Sequence, residues 1–181
     1  MNDDTLLALL QRAIPDVHFE PAQTLDVHTA VVVSRDDVPA VARALRDDSE
    51  LAFAVLSELT AVDFWPREPR FEIVYLLLSV AYRRRLRLKV RLPGSDARIS
   101  TVTDVWPAAN WLEREVWDMF GITFDRHPDP RRLLMPEDWE GFPLRKDYPV
   151  QIRKGTSSFE PLQMTQEEFR RNLERDRLTR T

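Results

Sequence analysis

The stretch FEIVYLLLSVAYRRRLRLKVRL, residues 71–92, reads as two strands turned back on each other. In the second arm Leu86, Leu88, Val90 and Leu92 alternate with Arg85, Arg87, Lys89 and Arg91. Side chains of a strand point to opposite faces in turn, so this spacing puts the aliphatic groups on one face and the cations on the other. The first arm is apolar at nearly every position, as expected of a central strand, and the short connection between the arms predicts an antiparallel hairpin. PGSD (93–96) is a turn.

Upstream, Thr5 is placed to cap a first helix carrying Leu6, Leu7, Leu9, Leu10 and Ile14, and Pro15 ends it. VHFE (17–20) and LDVHTAVVV (25–33) read as strands. Ser34 or Asp36 then caps a helix over roughly 37–47 with Val38, Val41, Ala42 and Leu45 on one side. Between 51 and 65 a helical turn followed by a strand over LTAVDF (59–64) is expected. The order α-β-β-α-β-β-β is most economically folded as a two-layer α+β domain, with helices on one face of a mixed sheet. A domain over 1–125 and an extended C-terminal segment over 126–181 are expected.

Composition narrows the chemistry. With 181 residues, 43% hydrophobic, the chain can bury a core. It has no cysteine, which removes thiolate nucleophiles, disulfides and cysteine-held zinc or iron–sulfur clusters. Gly94, Gly121, Gly141 and Gly155 cannot be arranged into a phosphate-binding loop. A net charge of -4 argues against a general nucleic-acid partner. The start MNDDTLLALLQRAI has acids where a signal peptide needs bases, and YLLLSVAY (75–82) is too short to cross a bilayer, so no direct membrane span is expected. The cations at 83–85, 87, 89 and 91 could track phosphates, but aliphatic rather than aromatic residues interleave with them, which favours a solvated or partner-facing sheet.

EREVWDMFGITF (113–124) is the unusual helix. Asn110 and Glu113 approximate a capping box, so the helix is expected to begin near Trp111, and Gly121 stands where a C-terminal glycine belongs. Leu112, Val116, Met119 and Phe120 form the expected core face; Trp111, Arg114, Glu115 and Asp118 lie opposite, with Glu113 and Trp117 between. Tryptophan and arginine among paired charges are typical of interface hot spots. The competing expectation is that the C-terminal segment of the same chain covers this face. Glu113, Glu115, Asp118 and His127 could also do acid–base work if burial separated their pKa values, although Arg114 should favour the ionised acids. His18, His28 and His127 lack metal-ligand spacing.

HPDPRRLLMPEDWEGFPLRKDYP (127–149) has too much proline for long helices and too many apolar anchors for a free linker. It reads as a strap laid along a surface, with Arg131, Arg132, Arg145 and Lys146 as candidates for pairing with carboxylates. Trp139, Asp147 and Tyr148 complete the candidate interface residues. In the tail, Thr165 and Glu168 predict a capped helix over 166–177 whose thin stripe of Phe169 and Leu173 needs an outside support.

The run Glu113-Arg114-Glu115, then Asp118, Met119-Phe120, His127, Arg131 and Leu133-Leu134, resembles the signature of the C-subunit family of respiratory complex I, the proton-pumping NADH–quinone oxidoreductase. LTAVDF (59–64) and LLMPEDWEGFPLRKDYP (133–149) are similar as well; Trp117 departs, where relatives often carry tyrosine. The resemblance is to the stand-alone form. It implies a cofactor-free, non-catalytic subunit of the peripheral arm, on the cytoplasmic side of the bacterial inner membrane. It implies a hetero-oligomer with the quinone-site (D) subunit and the neighbouring iron–sulfur (B and I) subunits. NADH, FMN, iron–sulfur clusters and quinone are then expected in those partners. It also leaves open a homologous subunit of a membrane-bound hydrogenase or an F420-type dehydrogenase.

Overall fold

The computed structural model describes residues 3–23 and 28–149. Its elements are α1 (Asp3–Ala13), β1 (Glu20–Ala22), β2 (Thr29–Val33), α2 (Val38–Asp47), β3 (Val55–Asp63), β4 (Phe71–Ser79), β5 (Arg84–Leu92), β6 (Arg98–Ser100), α3 (Ala109–Phe120) and β7 (Thr123–Asp125). A single 3₁₀ turn, Arg35–Asp37, leads into α2 and is capped by Ser34.

The hairpin forms as the alternation requires. β4 and β5 pair antiparallel with Tyr75 opposite Leu88. β5 pairs parallel with β2, giving a mixed sheet of order β1-β2-β5-β4-β3 in which β4 is internal. Leu86, Leu88, Val90 and Leu92 are buried in one cluster with Leu6 and Leu10 of α1, Val41 and Leu45 of α2, and Val116 and Met119 of α3. The helices therefore share one face of the sheet. On the other face the cations meet acids across strands: Lys89 Nζ donates to Glu72 at 2.8 Å and Arg91 reaches Glu20 at 3.3 Å. Those two charges are committed to internal pairs, as a solvated face permits.

Several boundaries differ from expectation. Thr5 lies inside α1, which begins at Asp3. Val17–Phe19 is not strand: Val17 and Phe19 are core anchors, and Gln11 Nε2 holds the Val17 carbonyl at 3.2 Å, so only Glu20–Ala22 reaches the ladder. β2 is shorter than 25–33, and residues 24–27 lie outside the described ones. β3 starts at Val55, four residues before LTAVDF; a bulge between Leu56 and Glu58 breaks its period-two pattern and hides the first half.

β6 and β7 are three-residue strands too short to show a pattern, and they pair parallel on either side of α3. α3 is thus a crossover helix clamped at both ends by one small sheet. It begins at Ala109, with Ala108 in the cap position and no side-chain cap. The capping box expected from Asn110 and Glu113 does not form, because Asn110 is already within the helix and Glu113 turns inward.

The two faces of β5 give a direct test. Leu88→Ala should cost about 2–5 kcal/mol in chemical denaturation. Arg85→Ala on the opposite face should stay within about 1 kcal/mol.

Candidate functional site

Residues 127–148 fold back over α3, and the first compact unit of the chain runs through Tyr148. The strap therefore covers Arg114 and Asp118 on the charged side of α3 from within the same chain. Its first seat is Asp118, whose side chain is 0% exposed. Asp118 Oδ2 accepts the backbone N–H groups of Leu133, Leu134 and Met135 at 3.0, 2.8 and 2.9 Å, and Oδ1 accepts Arg132 Nη1 at 2.7 Å. Burial pushes this carboxyl up, but three N–H donors and a guanidinium outweigh it and hold the pKa below the usual range. Arg132 also donates to the Trp139 and Gly141 carbonyls and lies over the rings of Trp117 and Phe142.

The second seat is the C-terminal end of α3. A helix leaves its last carbonyls without intrahelical partners. Here Leu144 N–H donates to Met119 O at 3.0 Å, and Arg145 Nε donates to Phe120 O at 2.5 Å. Gly121 closes the helix at φ +72, and an added Cβ would collide with the Phe142 ring. Only glycine satisfies both conditions.

The third seat is Asp63 at the end of β3, also fully buried. It accepts Arg70 through Nε and Nη2 at 3.0 and 2.8 Å, and the backbone N–H of Lys146 at 2.8 Å. Arg70 in turn grips Asp147 with both terminal nitrogens at 3.0 and 2.7 Å. Burial pushes Asp63 up, yet Arg70 and the N–H groups of Lys146 and Trp65 prevail and hold it down at about 2.

Arg114 donates to the carbonyls of Arg131 and Arg132, each at 3.0 Å, and lies over the Trp111 ring. It does not pair with Glu113. The expectation that Arg114 keeps Glu113 ionised is therefore overturned: Glu113 is fully buried, and burial raises its pKa to about 7 against hydrogen bonds from Thr101 and Val102. His127 accepts the Asp129 N–H at Nδ1 and reaches the Asn110 carbonyl from Nε2 at 3.1 Å, which assigns the Nε2–H tautomer and a structural role.

The remaining candidates divide. Arg131 pairs with Asp129 at the surface, and Tyr148 Oη donates to Glu140 O at 3.2 Å. Trp139 is half-buried within the strap. Arg145 and Lys146, expected to meet carboxylates with their side chains, meet carbonyls, rings and, through Lys146 N–H, one carboxylate. Trp111 is 59% exposed and Glu115, one turn on along α3, is exposed as well; Leu134 of the strap is 59% exposed. Asp63, Arg70 and Thr101 carry much of the geometry and lie outside the set expected from sequence. Of these only Asp63 has a sequence signal, inside LTAVDF.

Residues 31–154 match the family described as respiratory-chain NADH dehydrogenase, 30 Kd subunit. The NADH-quinone oxidoreductase C subunit of Roseiflexus castenholzii is 48% identical over 153 residues, 83% of this chain and 86% of that protein. The protein of the same name from Geobacter metallireducens is 47% identical over 136 residues, 72% of this chain and 83% of that one. Among solved structures, a trypsin-resistant fragment of Nqo5 superposes with TM-score 0.58 at 32% identity, covering 68% of this chain and 98% of the fragment. A chain of the membrane-bound sulfane sulfur reductase, an archaeal respiratory membrane complex, superposes with TM-score 0.69 at 27% identity, covering 81% of this chain and 85% of its own.

Two outcomes follow from the seats. Asp118→Ala leaves Arg132 and three buried N–H groups without their acceptor, and should cost about 3 kcal/mol or more while speeding tryptic cleavage after Arg131 and Arg132. Asp63 contributes stability present above its unfolded value and lost as pH falls through its folded one. Between about pH 4 and 2 this loss should approach roughly 2 kcal/mol, and Asp63→Asn should flatten that limb of the acid-denaturation curve.

Proposed function

The chain belongs to the family of the 30 Kd subunit of respiratory-chain NADH dehydrogenase, and from that premise we propose that it is a non-catalytic structural subunit of a complex I-type NADH–quinone oxidoreductase. The observation that carries this reading is how the ionisable groups of α3 are used. Asp118, Arg114 and Glu113 are all consumed in holding the chain to itself, so none is presented to a substrate. What the site offers outward is Trp111 and Glu115 of α3 and Leu134 of the strap. An exposed tryptophan backed by a guanidinium is hot-spot material.

In this reading these residues dock on the quinone-site (D) subunit, with the iron–sulfur (B and I) subunits as further neighbours in a hetero-oligomer. The partners supply NADH, FMN, iron–sulfur clusters and quinone, and this chain supplies rigidity, so that electrons pass at fixed geometry. The absence of cysteine supports a subunit that ligates no iron–sulfur cluster through thiolates. The trypsin-resistant Nqo5 fragment supports a body that holds together by itself. Among the described residues no helix is long and apolar enough to cross a membrane, which supports a peripheral position; we place it on the cytoplasmic face of the bacterial membrane. A second reading, a subunit of a related respiratory complex with a different redox reaction, is supported by the sulfane sulfur reductase likeness. The greater identity to NADH-quinone oxidoreductase subunits favours the first.

The test is the pair Trp111→Glu and Leu134→Glu in the tagged chain, purified from its native membrane. Both residues are exposed, so thermal stability should change by less than about 1 kcal/mol. Co-purification of NADH- and quinone-site subunits should fall at least about tenfold, the loss of a hot spot. Wild-type recovery of those subunits would overturn the docking surface. Recovery with other redox subunits and no NADH-binding subunit would decide for the second reading.

A further inference from the structure

Glu113 is a buried acid that none of the three strap seats employs. Its side chain is 0% exposed. From the turn before α3, Val102 N–H donates to Oε1 at 2.8 Å and Thr101 Oγ1 lies 2.5 Å from Oε2. Thr101 Oγ1 is in turn 3.0 Å from Thr103 Oγ1, and Thr103 is half-buried. The titratable groups around the carboxyl are few. Tyr75 of β4 is fully buried, and its hydroxyl finds no hydrogen-bond partner among the described residues. Arg114, on the same helix, is turned away to the strap carbonyls and to Asp129 at 3.4 Å. His127 Nε2 is 3.9 Å from Oε2 but aimed at the Asn110 carbonyl.

A carboxylate sealed from water with no committed cation is costly, whereas a carboxylic acid can donate. We propose that Glu113 is a proton-binding latch: held as the neutral acid, it donates through Thr101 to Thr103 and so to solvent, and its proton keeps the first turn of the strap seated. The bond that Thr101 donates when the carboxyl is ionised reverses in this state: Oε2–H donates to Thr101 Oγ1, and the Thr101 hydroxyl proton, so released, donates to Thr103 Oγ1. Burial acts in the same direction, raising the pKa of the group to about 7.

The link to the strap is His127. Its Nδ1 must lack a proton to accept the Asp129 N–H. When Glu113 loses its proton to the relay, the new charge is answered by water admitted to the cavity of about 40 Å³ that Glu113 and His127 both line. Entering water competes for His127 Nδ1, the acceptor of the Asp129 N–H, and separates the imidazole from the carboxyl. That change unseats residues 127–130. This inference concerns the chain alone and stands apart from the proposed assembly.

The test uses the full chain. An infrared band of a protonated carboxyl should be present at pH 6, absent in Glu113→Gln, and lost on raising the pH with a midpoint near 7. Amide exchange at Asp129 should accelerate about tenfold beyond the intrinsic base-catalysed increase between pH 6 and 8. The neutral Glu113→Gln variant should lack this acceleration. In Thr103→Val, a half-buried change that spares the fold, the band should persist while its deuterium exchange slows. An ionised Glu113 at pH 6 in the wild-type chain would overturn the proposal, with no variant needed. So would equal acceleration at Asp129 in wild type and Glu113→Gln, or unaltered deuterium exchange in Thr103→Val.

Discussion

Three consecutive backbone N–H groups converging on one oxygen of Asp118 are the constraint from which the C-terminal half of the described fold follows. Successive amides that point the same way require a tight turn, and such a turn has no ladder to satisfy it. A buried carboxylate one helix away is the substitute partner. Once residues 133–135 are pinned there, Arg132 is delivered to the other oxygen and its remaining nitrogen to the Trp139 and Gly141 carbonyls. The strap then has a direction, and the rest of it runs past the end of α3.

That end is where helix and strap become mutually dependent. The terminal carbonyls of α3 need donors, and an irregular segment has donors without acceptors. Leu144 N–H and the Arg145 guanidinium resolve both needs at once. Further along, the Asp63–Arg70–Asp147 chain ties the strap to the β3–β4 connection, so the segment is held at both ends as well as in the middle. Arg70 is the pivot of this arrangement: it is nearly buried between two acids, and two bidentate contacts fix its plane. Such pairs differ from the surface pair of Arg131 and Asp129, which solvent screens.

The hairpin is legible in the sequence because β5 keeps strict alternation over the eight residues 85–92 and its two faces are chemically distinct. α2 is legible for the same reason at the helical period. β3 is half hidden by its bulge, and β6 and β7 are held by pairing with each other rather than by any pattern of their own. The strap is recognisable as an anchored extended segment, and its anchors stand out as residue types. What it binds is not readable, because Asp118 sits among charges that look solvent-facing on a helical wheel. The wheel assigns a face; it does not say that residues 127–148 cover that face. Arg145 shows the same limit: an arginine suggests a carboxylate, yet here the groups in need of a donor are the carbonyls at a helix end. The tail helix expected over 166–177 lies outside the described residues.

The two buried acids of α3 show why spacing alone misleads about charge. Glu113 and Asp118 are five residues apart on one helix and equally inaccessible to solvent. Asp118 meets a guanidinium and three N–H donors and stays ionised. Glu113 meets one N–H, a hydroxyl that can donate or accept, and an imidazole aimed elsewhere, so burial decides the outcome. Their opposite shifts resemble the division of labour in an acid–base pair, but each group is closed off by its own chain. The family signature can therefore be read as a description of closure. Asp118 seats the strap together with Arg132, which lies outside the signature; Arg114 holds the strap carbonyls, His127 starts its first turn, and Glu113 holds the loop before the helix. Trp111 and Glu115, which closure leaves over, are the residues of α3 still turned outward to meet something else.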